Sequence, residues 1–394
     1  MRPQRSIVLL LVLFNSFAGA ATAQELTKEA ELPRANQILD SSPHKSQLPC
    51  FIDFSENLRL DLLFRYTEGF AIGCRLGTII TPGTELIAFL RITPRGGKPV
   101  LMTEEFDMPP AQKQDSAGMM AAPSQLEITA SGGFAAGPGE YSVEIVLTDE
   151  QGHTFRKQKN LKPFYGRGDR KVPFSLQPGE VVPLMDTRWN GALARNGPRL
   201  TVFLDAYGQN GSANLHGLDR AALMQSLFTL LTQLPCRSVK LIAFDLEGQK
   251  AIFSQERFDA RGFAALNRLL KRVDFSTISY RALQSGAWSK FLADQLRSEL
   301  ASEQPADDII FLGAWGSHVR EKLPQETVRK IEIGNTHVFY FELFAFPDSA
   351  PDGIGQLTKD LRGTVFAIQS PDDFAQAIKK VSAVTDPPSK ATHP

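Results

Sequence analysis

Six side chains that could bind a ligand follow or flank the strands of a predicted parallel sheet in the second half of the chain. They are one carboxylate, two aromatic rings, an amide, a hydroxyl and an imidazole: Asp205, Tyr207, Trp315, Gln209, Thr277 and His318. Because the carboxyl ends of parallel strands meet at one edge of a sheet, we expect these side chains to gather there. Aromatic rings beside amides suit a protein surface or a sugar. The alternative is that Tyr207 and Trp315 only pack over their own strands.

The sequence lacks the motifs of common catalytic and nucleotide-binding sites. It has no Gly-x-Ser-x-Gly, His-Glu-x-x-His, Gly-x-Gly-x-x-Gly or phosphate-binding Walker motif. Its histidines are scattered, and only Asp205 with His318 could supply a base at the sheet edge, with no nucleophile placed beside them. We therefore expect a non-enzymatic protein without a cofactor. A hydrolase that uses Asp205 and His318 is the alternative.

The first residues have the three parts of a secretory signal. Arg2 and Arg5 precede an apolar segment at residues 6–17, and Ala21 and Ala23 stand at the −3 and −1 positions of a cut after Ala23. The apolar segment is shorter than the roughly 20 residues that a membrane span needs. We expect a cleavable signal peptide over residues 1–23 and a secreted or periplasmic protein.

Export changes how the three cysteines are interpreted. Cys50 and Cys74 could form a disulfide in an oxidising compartment, and the spacing leaves open whether they do. Cys236 follows a predicted helix and is interpreted as a buried thiol. No Cys-x-x-Cys motif is present, which argues against a metal site built from cysteines.

Charge and hydropathy exclude further classes of protein. The 394 residues include 43 Lys+Arg and 43 Asp+Glu, so the basic excess of a nucleic-acid binder is missing. After the signal, no stretch of 18 apolar residues occurs, and we expect no stable membrane insertion. The 27 phenylalanines have no polar group, which indicates packed cores.

The pattern of apolar residues divides the mature chain into two folded parts. Residues 24–48 and 164–198, the latter rich in proline, are expected to be linkers, the first disordered, and residues 385–394 a disordered tail. Residues 49–163 have short alternating strands and turns, typical of an antiparallel β-sandwich, with a loop at 109–123. Residues 199–384 alternate buried-type strands with helices, which predicts a doubly wound, mostly parallel sheet with one antiparallel edge strand. The fold class is thus α/β plus all-β.

The element order of residues 199–384 resembles the von Willebrand factor A domain: strand, helix, strand, hairpin strand, two helices, then strand–helix repeats. Together with the sandwich and the signal, the chain is similar to exported von Willebrand A-related proteins of acidobacteria. The resemblance implies binding of a protein partner.

The family's metal-ion-dependent adhesion site is only partly present. The resemblance implies that Asp205 keeps the acid of its Asp-x-Ser-x-Ser motif, whereas Tyr207 and Gln209 replace both serines. Thr277 could match the family's threonine, and no acid follows the fourth strand, where Trp315 stands. Mg²⁺ needs several hard oxygen ligands, so we interpret Asp205 and Thr277 as vestigial and expect no bound metal.

These observations predict an exported, non-enzymatic protein-binding or scaffold protein of the cell envelope. A weaker hypothesis involves the triplet Arg167-Gly168-Asp169, which could act on host cells if the loop were exposed. The partner and the oligomeric state are not predicted.

Overall fold

A computed structural model describes residues 25–41, 48–75, 85–107, 127–166, 168–184, 189–206, 217–246, 248–273, 287–314, 324–345 and 352–385. The expected signal peptide, the loop at 109–123 and nearly all of the expected tail lie outside these residues. No helix within the described ranges combines the length and the apolarity that crossing a membrane requires.

The first half of the chain forms two antiparallel sheets. Its strands, in chain order, are β1 (Glu25–Leu26), β2 (Cys50–Phe54), β3 (Arg59–Leu60), β4 (Tyr66–Arg75), β5 (Glu85–Pro94), β6 (Val100–Asp107), β7 (Glu127–Ala136), β8 (Tyr141–Asp149), β9 (Thr154–Leu161) and β10 (Val181–Pro183). Within the described residues, one sheet has the order β1-β6-β5-β8-β9 and the other β10-β7-β4-β2, with β3 beside β4. Every second residue along these strands is buried in one core between the two sheets, as the alternation of apolar and polar residues predicts.

Residues 25–41 are ordered, so the prediction of a disordered linker is wrong there. β1 pairs with β6, and helix α1 (Leu32–Asp40) follows, with Pro33 in its first turn. Ala35 and Leu39, one helical turn apart, are buried against Phe89 and Val146 on the outer face of the sheet. Two apolar residues at this spacing were too weak a periodic signal to identify the helix.

The structure joins Cys50 and Cys74 in a disulfide between neighbouring strands. The two residues are register partners on β2 and β4, with Cα atoms 4.1 Å apart. Cys236 is a buried thiol, as expected, and burial raises its pKa to about 11.

The proline-rich segment 164–198 is packed against both halves instead of linking them loosely. Where the structure describes it, Val172, Val181 and Trp189 are buried, and β10 adds a strand to the sandwich. The indole of Trp189 stacks on Phe258 with ring centroids 5.7 Å apart. The linker prediction is wrong here because isolated apolar residues between prolines show no period, although tertiary contacts bury them.

The second half is a doubly wound α/β sheet, as predicted. Its strands are β11 (Arg199–Asp205), β12 (Ser238–Asp245), β13 (Lys250–Gln255), β14 (Asp308–Ala314), β15 (His337–Leu343) and β16 (Thr364–Ile368). Its helices are α2 (Gly217–Gln233), α3 (Ala260–Leu270), α4 (Ala287–Leu300), α5 (Gln325–Arg329), α6 (Gly353–Asp360) and α7 (Pro371–Thr385). In the described ranges the strand order is β13-β12-β11-β14-β15-β16, and β13 alone runs antiparallel.

Helices cover both faces of this sheet. One face packs against α2, α3 and α7, where Leu227, Phe263 and Phe374 are buried. The other packs against α4 and α6, through Leu292 and Leu357. Burial on both faces explains why the strands are continuous apolar runs.

The two halves share apolar contacts. Phe64, in the left-handed backbone region at φ 59°, is buried in the core of the α/β half, 5.9 Å from the ring of Phe374. The Thr229 hydroxyl on α2 donates a hydrogen bond to the Leu62 carbonyl at 2.7 Å. The chain between β3 and β4 thus connects the sandwich to the α/β half.

Candidate functional site

The carboxyl edge of the α/β sheet contains the one predicted binding residue that the structure describes. Asp205 ends β11 and is 8 % exposed. Strands β11 and β14 are neighbours at the position where the strand order reverses, the usual ligand site of doubly wound sheets. Tyr207, Gln209, Thr277, Trp315 and His318 lie outside the described residues. The pairing of Asp205 with His318, on which the hydrolase alternative depends, therefore stays a prediction.

Asp205, Gly313 and Glu342 form one row across three neighbouring strands. Gly313 on β14 is the register partner of Glu342 on β15. A Cβ atom placed on Gly313 would come 2.9 Å from Asp205 Cβ on β11, so all three positions face the same side of the sheet. Since glycine has no side chain, the Asp205 side chain occupies the space over Gly313 that a larger residue would need. We call these three residues the Gly313 notch.

An aromatic row supports the notch from below. Two residues earlier on the same three strands and on the same face lie Phe203, Phe311 and Tyr340. The rings of Phe203 and Phe311 stack with centroids 5.2 Å apart. The carboxylates therefore stand at the boundary between a packed core and the sheet edge.

Glu342 is a buried acid with an unused hydrogen-bonding atom. The residue is 4 % exposed, and its Oε1 has no hydrogen-bond partner among the described residues. Burial, followed by the negative charge of Asp352, raises its pKa to about 7, while the Asp352 backbone N–H and the charge of Lys359 act in the opposite direction. An unpaired buried carboxylate oxygen is costly, which favours a functional explanation for Glu342.

Asp352 lies at the start of α6 and connects this helix to β15 beside the site. As the N-cap of that helix, its Oδ1 accepts a hydrogen bond from Gly355 N at 2.8 Å, and its Oδ2 accepts one from the Tyr340 hydroxyl at 2.9 Å. The pKa of Tyr340 is raised well above its usual value by burial first, and then by the charges of Asp352, Glu342 and Asp205. The Tyr340 phenol therefore donates its proton to a hydrogen bond with Asp352, and the charges of Glu342 and Asp205 also act on it.

Phe344 adds an exposed ring at the same edge. It follows β15, has φ 57° and is 39 % exposed. A bulky residue in the left-handed region is strained and uncommon. Its N–H donates to the Ile368 carbonyl at 2.8 Å, which ties the strained residue to β16.

Sequence reasoning identified Asp205 and missed Gly313, Glu342 and Asp352. A signal existed, because Gly313 and Glu342 end the apolar runs at 308–313 and 336–342, and each run predicts a strand. The register that makes them neighbours could not be read from one sequence, since each strand was interpreted alone. Among the described residues, no group of three or more His, Cys, Asp or Glu side chains could hold a metal ion.

The opposite, amino edge of the sheet is held by structural ion pairs. Asp307 pairs with Arg199 at 2.9 Å and with Arg237 at 3.1 Å, and Asp308 contacts His337 Nδ1 at 2.9 Å. The Arg199 guanidinium lowers the pKa of Asp307. Because these groups are paired and far from the strand carboxyl ends, they position the strands.

The host-cell hypothesis for residues 167–169 is overturned. Asp169 is buried at 7 % exposure, and its Oδ2 accepts a hydrogen bond from Gly166 N at 2.6 Å. Arg167 lies outside the described residues. An integrin ligand must present its aspartate to a receptor, and this aspartate is used inside a turn.

Comparisons with known proteins give no family. No protein-family model and no curated protein matches the chain. Among solved structures, the structural-genomics target SoR45 is 13 % identical, with 31 % of this chain and 90 % of that chain covered and a TM-score of 0.17. A glycosyl hydrolase family 2 member from Bacteroides cellulosilyticus is 11 % identical, with coverages of 79 % and 36 % and a TM-score of 0.19. The Bacteroides uniformis beta-glucuronidase is 11 % identical, with coverages of 87 % and 39 % and a TM-score of 0.17. At these TM-scores the likenesses support no statement about fold or function.

Proposed function

We propose that this chain is a non-enzymatic protein-binding or scaffold protein of the cell envelope, whose α/β half is a von Willebrand A-like domain that binds without metal. The strand order β13-β12-β11-β14-β15-β16 and its antiparallel edge strand support the likeness of the α/β half to that domain. Under this proposal, Asp205 corresponds to the first acid of the family's adhesion motif.

The observation that carries the proposal is the Gly313 notch at the carboxyl edge. Two buried carboxylates flank a glycine where a doubly wound sheet ordinarily binds its ligand. Burying such groups costs stability, and proteins retain costly polar groups mainly at functional sites.

Export is part of the same proposal. The Cys50–Cys74 disulfide supports it, because disulfides persist in oxidising compartments. The segment at residues 1–23 would direct the chain there as a signal peptide. Its cleavage after Ala23 would leave a secreted or periplasmic protein.

The proposal is tested by capture of proteins from the envelope fraction of the source cells on the immobilised full chain. Asp205→Asn should lose proteins that the wild type retains. Glu332→Gln is the matched control, because it removes one exposed charge at the amino end of β15. Identical sets of proteins on all three baits would contradict binding at the carboxyl edge. Loss of capture on addition of a chelator would contradict binding without metal.

A further inference from the structure

We infer that an exposed surface at residues 164–171 docks an acidic segment of a protein partner. Its exposed side chains are two aromatic rings and two basic groups: Phe164, Tyr165, Arg170 and Lys171. We call these four residues the aromatic–basic patch. The inference rests on the proposed function, because it takes binding of a protein as given and names the chemistry of that protein.

Phe164 and Tyr165 form the apolar part of the patch. Phe164 is 60 % exposed, more than any other phenylalanine among the described residues, and Tyr165 is 44 % exposed. Phenylalanine is usually buried, and a single exposed apolar side chain needs no explanation. Two consecutive exposed rings beside an arginine are different, because aromatic residues and arginine are enriched in protein interfaces.

The rings are held in place by the structure beneath them. Tyr165 packs edge-on against the buried ring of Tyr66, with centroids 5.8 Å apart. The N–H of Phe164 donates a hydrogen bond to the Leu58 carbonyl at 2.9 Å, which ties the patch to the sandwich. A surface that is already ordered loses less conformational entropy when a partner binds.

Arg170 and Lys171 provide the basic part of the patch. The guanidinium of Arg170 lies over the ring of Tyr165, 5.1 Å from its centroid. Within the described part of the chain, neither basic side chain forms an ion pair. A guanidinium that lies over an aromatic ring can still donate its N–H groups to a carboxylate, and such charge-assisted hydrogen bonds are the stronger kind.

The charge of the surrounding chain favours an acidic partner. Residues 156–171 contain seven Lys or Arg and a single acid, Asp169, whereas the whole chain has 43 basic and 43 acidic residues. Asp169 is buried and used inside its turn. The nearby Glu140 is paired with Lys162 at 3.2 Å and with Arg95 at 2.9 Å. Opposite charge on a partner would speed association and disfavour basic competitors.

The patch adjoins the carboxyl edge of the α/β sheet. Gly168, between the aromatic and the basic residues, lies against the carboxylate of Asp372, since a Cβ atom on this glycine would collide with it. Asp372 is in the first turn of α7, which begins shortly after β16 ends, and its Oδ2 accepts a hydrogen bond from Gln376 Nε2 at 2.7 Å. The patch is therefore on the side of the molecule that contains the proposed binding edge.

An acidic protein segment fits the patch better than an anionic membrane does. Recognition of anionic lipids relies on clusters of about four to eight Lys or Arg residues, and the patch has two. Three further bases of residues 156–171 contact the sandwich instead, namely Arg156, Lys159 and Lys162. Tyrosine and arginine, in contrast, are the residue types that dominate the binding energy of protein interfaces.

The test uses the full chain and a fluorescein-labelled peptide of sequence Gly-Glu-Asp-Phe-Glu-Asp-Gly, with Gln and Asn in place of the acids in the comparison peptide. Fluorescence anisotropy gives the Kd. We expect saturable binding of the acidic peptide alone, weakened by added salt, which screens exposed charges. Arg170→Gln and Phe164→Ala should each weaken binding about fivefold or more, the effect of an interface hot spot.

The matched controls are Arg329→Gln and Phe51→Ala. Each removes an exposed side chain of the same type from another part of the surface, and both should leave the Kd unchanged. Equal binding of the two peptides would overturn the inference. So would an absence of saturation, or a wild-type Kd in both Arg170→Gln and Phe164→Ala.

Vesicles of phosphatidylglycerol and phosphatidylcholine distinguish a membrane from a protein. If they bind the chain through Arg170 and Phe164 while the acidic peptide does not, a membrane surface replaces the inferred partner. If the peptide fails while capture of envelope proteins still depends on Asp205, the inference fails and the proposed function stands. If that capture is also independent of Asp205, the proposed function fails too.

Discussion

Glu104 is a buried acid in the sandwich whose protonation affects the stability of the fold. It lies on the inner face of β6 at 4 % exposure, and its Oε2 has no partner among the described residues. Burial alone raises its pKa from 4.5 to about 8. A Cβ on Gly132 of the opposite sheet would collide with this carboxyl group, so glycine makes the space that it fills.

We predict that Glu104→Gln stabilises the protein at alkaline pH. Because the folded pKa is raised, the folded state favours the protonated acid, and its contribution to stability is lost as pH rises from about 4.5 through about 8. At pH 5 the variant and the wild type should have similar free energies of unfolding in urea. At pH 9 the variant should be more stable, on the order of a few kcal/mol.

The exposed acid Glu150 supplies the control, and Glu150→Gln should leave the pH dependence of unfolding unchanged. An equal effect of Glu104→Gln at both pH values would mean that the acid is not titrating in the core.

At the level of elements, the strands of the α/β half were predictable and the short packed segments were not. The continuous apolar runs at 199–205 and 364–368 predict buried strands, and the structure gives β11 and β16 the same bounds. β7 was missed, since its Gly132-Gly133 pair interrupts the alternation that defines a strand. Helix α1 and segment 164–198 depend on tertiary burial of isolated side chains, which no local pattern reports.

The disulfide is a link between elements whose contribution can be measured. It joins register partners on β2 and β4, 24 residues apart in sequence. Replacing both cysteines, as Cys50→Ala with Cys74→Ala, should lower the free energy of unfolding by about 3 kcal/mol, since the unfolded chain regains the closed loop. Urea unfolding monitored by circular dichroism measures this.

A reducing agent supplies the internal control. It should destabilise the wild type by a similar amount and leave the double variant unaffected, because Cys236 is the one cysteine that would remain. Equal stability of the oxidised wild type and the double variant would show that the cross-link does not constrain the unfolded state.

At the scale of the whole molecule, the place of the site was predictable and its composition was not. Asp205 marked the carboxyl edge because an acid that ends an apolar strand is visible in one sequence. Glu342 became a partner only through the register of β14 and β15 and the missing side chain at Gly313. Long-range pairing of this kind is set by the assembled sheet, which explains why local analysis found one of the three notch residues.

The two halves should unfold together, and Phe64 is one of the residues that couple them. Its ring is buried in the α/β core beside Phe374, although it belongs to the chain between two sandwich strands. Phe64→Ala should cost about 3–5 kcal/mol by leaving a cavity. It should also separate two transitions, because this ring is a large apolar contact between the halves. The tryptophans at 189, 288 and 315 report on the second half by fluorescence, and amide hydrogen exchange of β5 and β8 reports on the sandwich.

Phe54→Ala, which removes a ring from the sandwich core alone, is the matched control and should lower both transitions together. Coincident transitions in Phe64→Ala, at the stability of this control, would show that the ring only fills space and that the coupling lies in the segment around Trp189.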